Sequence, residues 1–151
     1  EMATTVTAAD LTVTITEGIS LNGVEYGNTI STTFATQGKV DQRIMSTATT
    51  YTDVIYTAAA DGRGQVVAAD WGYFRITNLD DTNFITLRLY DATDSQFFKI
   101  PAGKSFVLMN PEIDVDASGT TFNSFENITQ IAVDADGAAC DIEYIMVTAP
   151  E

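Results

Sequence analysis

The sequence predicts an all-β protein, an antiparallel β-sandwich of jelly-roll-like type, and three observations carry that prediction. Threonine crowds the first third in the runs TVT, TVTIT, TISTT and TATTYT, and β-branched side chains suit the pleated, half-buried surface of a strand. Apolar residues recur with a period of two, whereas helix-period patterns are nearly absent. Clusters of Asp, Asn, Gly and Pro interrupt the chain at spacings of about ten residues, the rhythm of strands joined by short turns. The whole of 1–151 is expected to form one domain. Its regular hairpin core is 71–149, and 1–40 supplies either Thr-rich strands of the same sandwich or an extended arm reaching a neighbouring subunit.

Each element has its own signal. In 11–16 the apolar Leu11, Val13 and Ile15 alternate with Thr12, Thr14 and Thr16, which puts one face inward and one toward water. Segments 19–21 and 24–26 flank Asn22-Gly23, a pair that supplies the two positive-φ positions of a type I′ hairpin turn. Strands follow at 28–34, 40–45 and 52–57, and the glycine-rich 61–64 reads as a loop. Three hairpins are then expected: 73–78 with 84–90 around 79–82, 97–100 with 105–109 around 101–104, and 128–133 with 141–147 around 134–137. A longer link, 110–127, precedes the last. Alternation nominates Ile85, Leu87, Leu89, Phe98, Ile100, Phe106, Leu108, Ile142, Tyr144 and Met146 as inward residues. The last strand is two-faced, because Ile145 and Val147 follow Asp141 and Glu143 on its other side. Such a strand predicts cover by the chain's own N-terminal strands or by another subunit.

Composition narrows the function. The 151 residues carry 21 acidic and 7 basic side chains, a net charge of −14, and no histidine. Histidine is the usual general base and a common metal ligand, so triad hydrolases and His-ligated zinc sites are excluded. An acidic surface repels phosphate backbones, so neither nucleic acid nor an anionic membrane is an expected partner. A chain of this length buries roughly 70% of its unfolded surface, and an apolar fraction of 45% is ordinary for a folded body. The single Cys140 leaves no internal disulfide. Neither a signal peptide nor the ~18 apolar residues of a membrane span is read from the sequence.

The motifs that invite chemistry each have a plainer reading. Gly103-Lys104-Ser105 resembles the end of a phosphate loop, but Phe98 stands where the first glycine belongs and a strand follows instead of a helix. Asp114-Val115-Asp116-Ala117-Ser118-Gly119 opens like a calcium loop, yet position twelve is Phe125, with Glu126 one place late. A looser calcium site or a solvated loop are the alternatives there. Asp80-Asp81, Asp91 with Asp94, and Asp134 with Asp136 could pair for acid/base work as in a glycosidase, but turn aspartates are favoured simply for bonding their own backbone. Cys140 has no histidine to activate it and is expected in the core. Asn127-Ile128-Thr129 matches a glycosylation pattern that means little without secretion. Trp71, Tyr73 and Phe74 form the densest aromatic group, either core or a platform for sugar rings. No catalytic, cofactor-binding or metal-ligating residue is assigned, and no cofactor is expected.

The segment YFRITNLDDTNFITLRLYD, continued by FFKIPAGKSFVLMN and ITQIAVDADGAACDIEYIMVTA, resembles small virion structural proteins of tailed phages, especially those of marine bacteria and cyanobacteria. The likeness covers residues 71–149 and lies in a run of the type Y-x-R-I-T-N-L-D-D-T-N, a Pro-Ala-Gly turn with an apolar strand, and a closing hairpin. It implies a non-enzymatic capsid decoration, or cement, protein on the outer capsid shell, made in the host cytoplasm. The implied partners are the major capsid protein and further copies of itself, as a homotrimer. The alternative is a tail-fibre or receptor-binding module that recognises host surface glycans through Trp71 and Tyr73. With no histidine to titrate near neutrality, assembly is expected to respond to salt far more than to mild acidification.

Overall fold

The computed structural model describes residues 7–57, 65–114 and 124–149. The described residues form an all-β sandwich with no helix. Its body holds β5 (Lys39–Thr47), β6 (Thr52–Thr57), β7 (Gln65–Val66), β8 (Trp71–Asn78), β9 (Ile85–Tyr90), β10 (Ser95–Ile100), β11 (Ser105–Leu108), β14 (Gln130–Ala135) and β15 (Cys140–Thr148). The short pair β12 (Glu112–Ile113) and β13 (Glu126–Asn127) lies beside it in sequence. One sheet runs β10-β9-β14-β6-β7 and the other β11-β8-β15-β5. All pairs are antiparallel except β6 with β7, a two-residue parallel contact.

Alternation builds the core. Ile85, Leu87 and Leu89 from β9 and Ile131 and Val133 from β14 face Phe74 and Ile76 from β8 and Ile142, Tyr144 and Met146 from β15. Each of these is at most 1% exposed. Phe98, Phe106, Leu108 and Met45 close the margins, and every inward residue nominated from the sequence lies in or against this cluster. Burying one such aliphatic or aromatic side chain contributes about 1.5–3 kcal/mol. The rings of Phe74 and Tyr144 lie 6.3 Å apart, and those of Phe98 and Phe106 lie 4.9 Å apart, within the range of favourable tilted aromatic pairs.

The three expected hairpins are corrected by the strand order. β8 and β9 lie in different sheets, as do β10 and β11, and β14 and β15. The links at 79–84, 101–104 and 136–139 therefore carry the chain from one sheet to the other. The paired hairpin is β9 with β10, joined at Asp91, whose carboxylate accepts the Thr93 and Asp94 amides at 2.9 and 2.7 Å. A strand stacked over its successor and a strand paired with it both turn alternate residues inward, so periodicity cannot separate them.

Asn78 ties one such corner. It is fully buried, and its Nδ2 donates to the carbonyls of Asn83 at 2.9 Å and Ile100 at 3.3 Å. Its Oδ1 accepts the Asp80 amide at 3.1 Å. Asp80 in turn accepts the Thr82 and Asn83 amides at 2.8 and 2.6 Å, so two side chains hold the whole corner.

The first four strands form a separate ribbon. β1 (Ala9–Thr16) pairs with β4 (Thr29–Gln37), and β2 (Ile19–Leu21) pairs with β3 (Val24–Tyr26). From Leu11 onward partner numbers sum to 45 in both pairs, as in Leu11 with Phe34, Ile15 with Ile30 and Leu21 with Val24. One unbroken register thus runs to the Asn22-Gly23 turn, where both φ angles are positive at 53° and 79°, as the sequence predicts. Between the halves Gly27 adopts φ 123° where Glu17 backbone would collide with any Cβ, so only glycine fits. A shift in register at Ala9/Leu11 and a left-handed Thr36, whose amide is held by Asp10 at 3.2 Å, bend the base.

The ribbon meets the sandwich at its base. Phe34 packs over Gly72, where an added Cβ would lie 3.3 Å from the ring, and its centroid is 6.1 Å from that of Tyr73. Tyr73 neighbours Val147 across the strands, and Val147 is 1% exposed although it belongs to the outer face of β15. The chain's own N-terminal segment therefore lies beside the apolar end of that two-faced strand.

Replacing Asn78 by Leu keeps its volume but strands the Asp80 amide and two carbonyls. It is expected to lower unfolding stability by about 2–3 kcal/mol, measured by urea denaturation with an unchanged m-value.

Candidate interaction surfaces

The residues nominated from sequence do not converge on a reaction centre. Trp71, Tyr73 and Phe74 are 2%, 7% and 0% exposed; Trp71 and Phe74 belong to the core and Tyr73 lies under Phe34 of the ribbon, so the group offers no platform to a sugar. A bulge in the β8–β15 ladder brings Trp71 opposite Thr148 at the inner margin, which the sequence did not signal. Cys140 is buried, and burial pushes its thiol above the ordinary range. Gly103-Lys104-Ser105 closes a turn in which the Lys104 amide donates to Pro101 at 3.1 Å, and a strand follows. Asp80 and Asp91 cap their own turns. Asp134 is a strand residue instead of a turn residue. The loop proposed from Asp114 to Gly119 lies outside the described residues beyond Asp114 itself, as does the glycine-rich loop at 61–64. Among the described residues no three acidic or sulfur side chains group to hold a metal.

Three surfaces stand out instead. On the outer face of the four-stranded sheet, the Arg75 guanidinium bonds the Glu143 carboxylate and the Thr77 hydroxyl, and Thr77 meets Ser105 at 2.8 Å. The Arg75 bond holds the Glu143 carboxyl below the usual carboxylate range. At the free edge strand β5, Arg43 grips Asp41 with a closest approach of 3.0 Å and lies 5.6 Å from the Tyr144 ring centre. The Tyr144 hydroxyl donates to Asp41 at 3.2 Å. Burial first, and then the Asp41 charge, raise this phenol well above its ordinary value. Charged groups at a sheet edge discourage pairing with foreign strands.

The outer face of the five-stranded sheet is aromatic. Arg88 lies 5.0 Å from the Tyr90 ring centre and 5.6 Å from that of Tyr51, within cation–π range. Its Nη2 donates to Gln130 at 2.8 Å, and Gln130 passes a 2.6 Å bond to Asp53. Phe97 sits across from Arg88 in the register, with its ring 6.3 Å from Tyr51. Beside them a hollow of about 240 Å³ lies between Tyr56, Thr57, Tyr90, Ala92, Thr129 and Gln130. Sequence reasoning missed this face. The signal was the outward parity of Arg88 and Tyr90 between the buried Leu87 and Leu89.

The third surface is the ribbon. In its first half Leu11, Val13 and Ile15 share a face with Phe34 and Ile30, and Thr12, Thr14 and Thr16 share the other with Thr33, Ser31 and Thr29. Hydroxyl contacts run along the polar side, Thr14 to Ser31 at 2.9 Å and Thr29 to Thr16 at 3.2 Å. In the second half Ile19, Leu21, Val24 and Tyr26 share a face. The apolar side chains beyond the base are left in water, from Ile15 at 42% exposed to Ile30 at 57%. The alternation is that of a half-buried strand, but the buried half is missing.

No protein-family model, curated protein or solved structure matches this chain.

The carboxylates give the surface a pH signature. The Asn83 and Thr82 amides hold Asp80 below the ordinary carboxylate range, and Arg75 does the same for Glu143. A depressed folded pKa contributes stability that is present above the unfolded value, near 4, and lost as pH falls through the folded one. Thermal unfolding midpoints are expected to fall progressively below about pH 4, with Asp80→Asn and Glu143→Gln each flattening the decline in a calorimetric pH series.

Proposed function

We propose that this protein is a non-enzymatic structural component of a tailed-phage virion, a decoration protein that binds the outer capsid shell as a homotrimer and stabilises it. The carrying observation is the ribbon of residues 9–37. A protein that devotes this much chain to an apolar element outside its own core is built to bury that element against something else. The resemblance of 71–149 to small virion proteins supports the same reading. So does the acidic coat, which keeps a subunit dispersed until it meets its assembly partner.

The partner under this reading is the major capsid protein. Cosedimentation with undecorated capsids of the parent phage is expected to show saturable binding that varies with salt and stays level between pH 8 and pH 6, since ordinary carboxylates titrate near 4. Absence of binding to those capsids would remove the proposal.

A second reading, a receptor-binding module for host glycans, is favoured by the aromatic face around Arg88. Exposed tyrosine rings stack on sugar rings, and the hollow beside Tyr56 and Tyr90 offers hydroxyl and amide groups at its wall. Under this reading a glycan array gives hits that Tyr56→Ala abolishes while the fold persists, and a blank array disposes of it.

A further inference from the structure

The distal ribbon, from Ile15 to Ile30, has no partner strand on either edge and no layer over its apolar side among the described residues. A two-stranded hairpin in water is marginal at best, and three strands or a covering layer are normally required. Ile15, Ile19, Leu21, Val24, Tyr26 and Ile30 are all between 42% and 57% exposed. Only the base obeys the rule, where Phe34 uses the same face of the ribbon to pack on Gly72 and Tyr73.

We propose that the distal ribbon is the interface between copies of this chain, the apolar faces of neighbouring arms packing on one another. Charge argues for a like partner. Residues 7–38 contain no lysine or arginine and three acids, Asp10, Glu17 and Glu25. Of these only Glu25 lies in the β2–β3 pair, and it sits opposite Ser20 on the polar side, while Glu17 stands at the junction of the two halves, opposite Asn28 and with the parity of Ile15 and Ile19. The β2–β3 apolar face is therefore uncharged, and what complements it is another uncharged apolar face of the same width. The arm of a second copy provides one.

Size and distance agree. Six half-exposed side chains at roughly 100 Å² each give about 600 Å² per copy and about 1,200 Å² per pair, the lower bound of specific interfaces. Each body belongs to a chain of net charge −14, but the distal ribbon from Ile15 to the Asn22-Gly23 turn extends roughly 25 Å beyond the base at 3.3 Å per residue. That is several times the Debye length of about 8 Å at physiological salt, so the tips meet where the repulsion between bodies is screened. Two ribbons can stack as layers about 10 Å apart, and three can close a prism. In both, the Thr and Ser side faces water.

This inference rests on reading the arm as an assembly element and not on the identity of the shell, so a failed capsid experiment leaves it standing. Sedimentation velocity of the full chain across rising concentration is expected to give a mass of two or three chains, with tighter association at 1 M than at 0.15 M salt. A two-chain mass upholds the arm contact while removing the homotrimer from the proposed function. The double variant Ile19→Asp/Tyr26→Asp is expected to sediment as a monomer with the melting transition of the sandwich unchanged, whereas Thr14→Asp/Ser31→Asp on the polar side still assembles. As a check that needs no charge on the apolar side, Leu21→Cys is expected to form a disulfide between chains on oxidation, and Ser20→Cys is not. A wild-type monomer at every concentration, or an assembly that survives the apolar-face variant, would overturn the proposal.

Discussion

Everything in the body depends on burying two inner sheet faces against each other. That one requirement fixes the parity of each strand, places Tyr144 and Phe74 in the middle layer and leaves alternate residues for the surface. It also dictates the corners. Each time the chain passes from one sheet to the other it must turn through the margin of the core, where backbone groups lose water and need partners. At the β8–β9 corner Asn78 and Asp80 are the side chains that supply them, and Asp91 does the same for the turn of the β9–β10 hairpin. Two of the aspartates that invited a reading as reaction partners, Asp80 and Asp91, hold backbone amides in this way.

Much of this was legible because it is local. Asn22-Gly23 specifies its own turn, and the alternations through Ile85 to Leu89 and Ile142 to Met146 specify which side of a strand is buried. Pairing was not legible. Alternation tells a strand which face to hide but not whether its neighbour in sequence lies beside it or above it, so β8 and β9 read as a hairpin although they stack. Asn78 gave no warning of its burial because the carbonyls that satisfy it come from Asn83 and Ile100 in the opposite sheet's hairpin.

The surfaces were legible in part. Leu11, Val13 and Ile15 announced an apolar face, but whether a face is covered is a tertiary fact, and the structure covers only its base. The cluster of Tyr51, Arg88, Tyr90 and Phe97 draws on three separate stretches of chain and exists only once the register sets Phe97 against Arg88. Trp71, the most conspicuous aromatic in the sequence, went into the core by way of a bulge that no local pattern encodes. The acidic residues, by contrast, lie largely at turns and outward positions, so the net charge describes a coat over the core.

The constant register of the ribbon carries a consequence for how the protein can change over time. Because the two strands match residue for residue up to a two-residue turn, an insertion in one strand alone throws every pair beyond it out of step. Two residues added to each strand instead lengthen the arm by about 7 Å and return the same side chains to the same face. Reach can therefore evolve in fixed increments while the sandwich, with its corners and its interior, is left untouched.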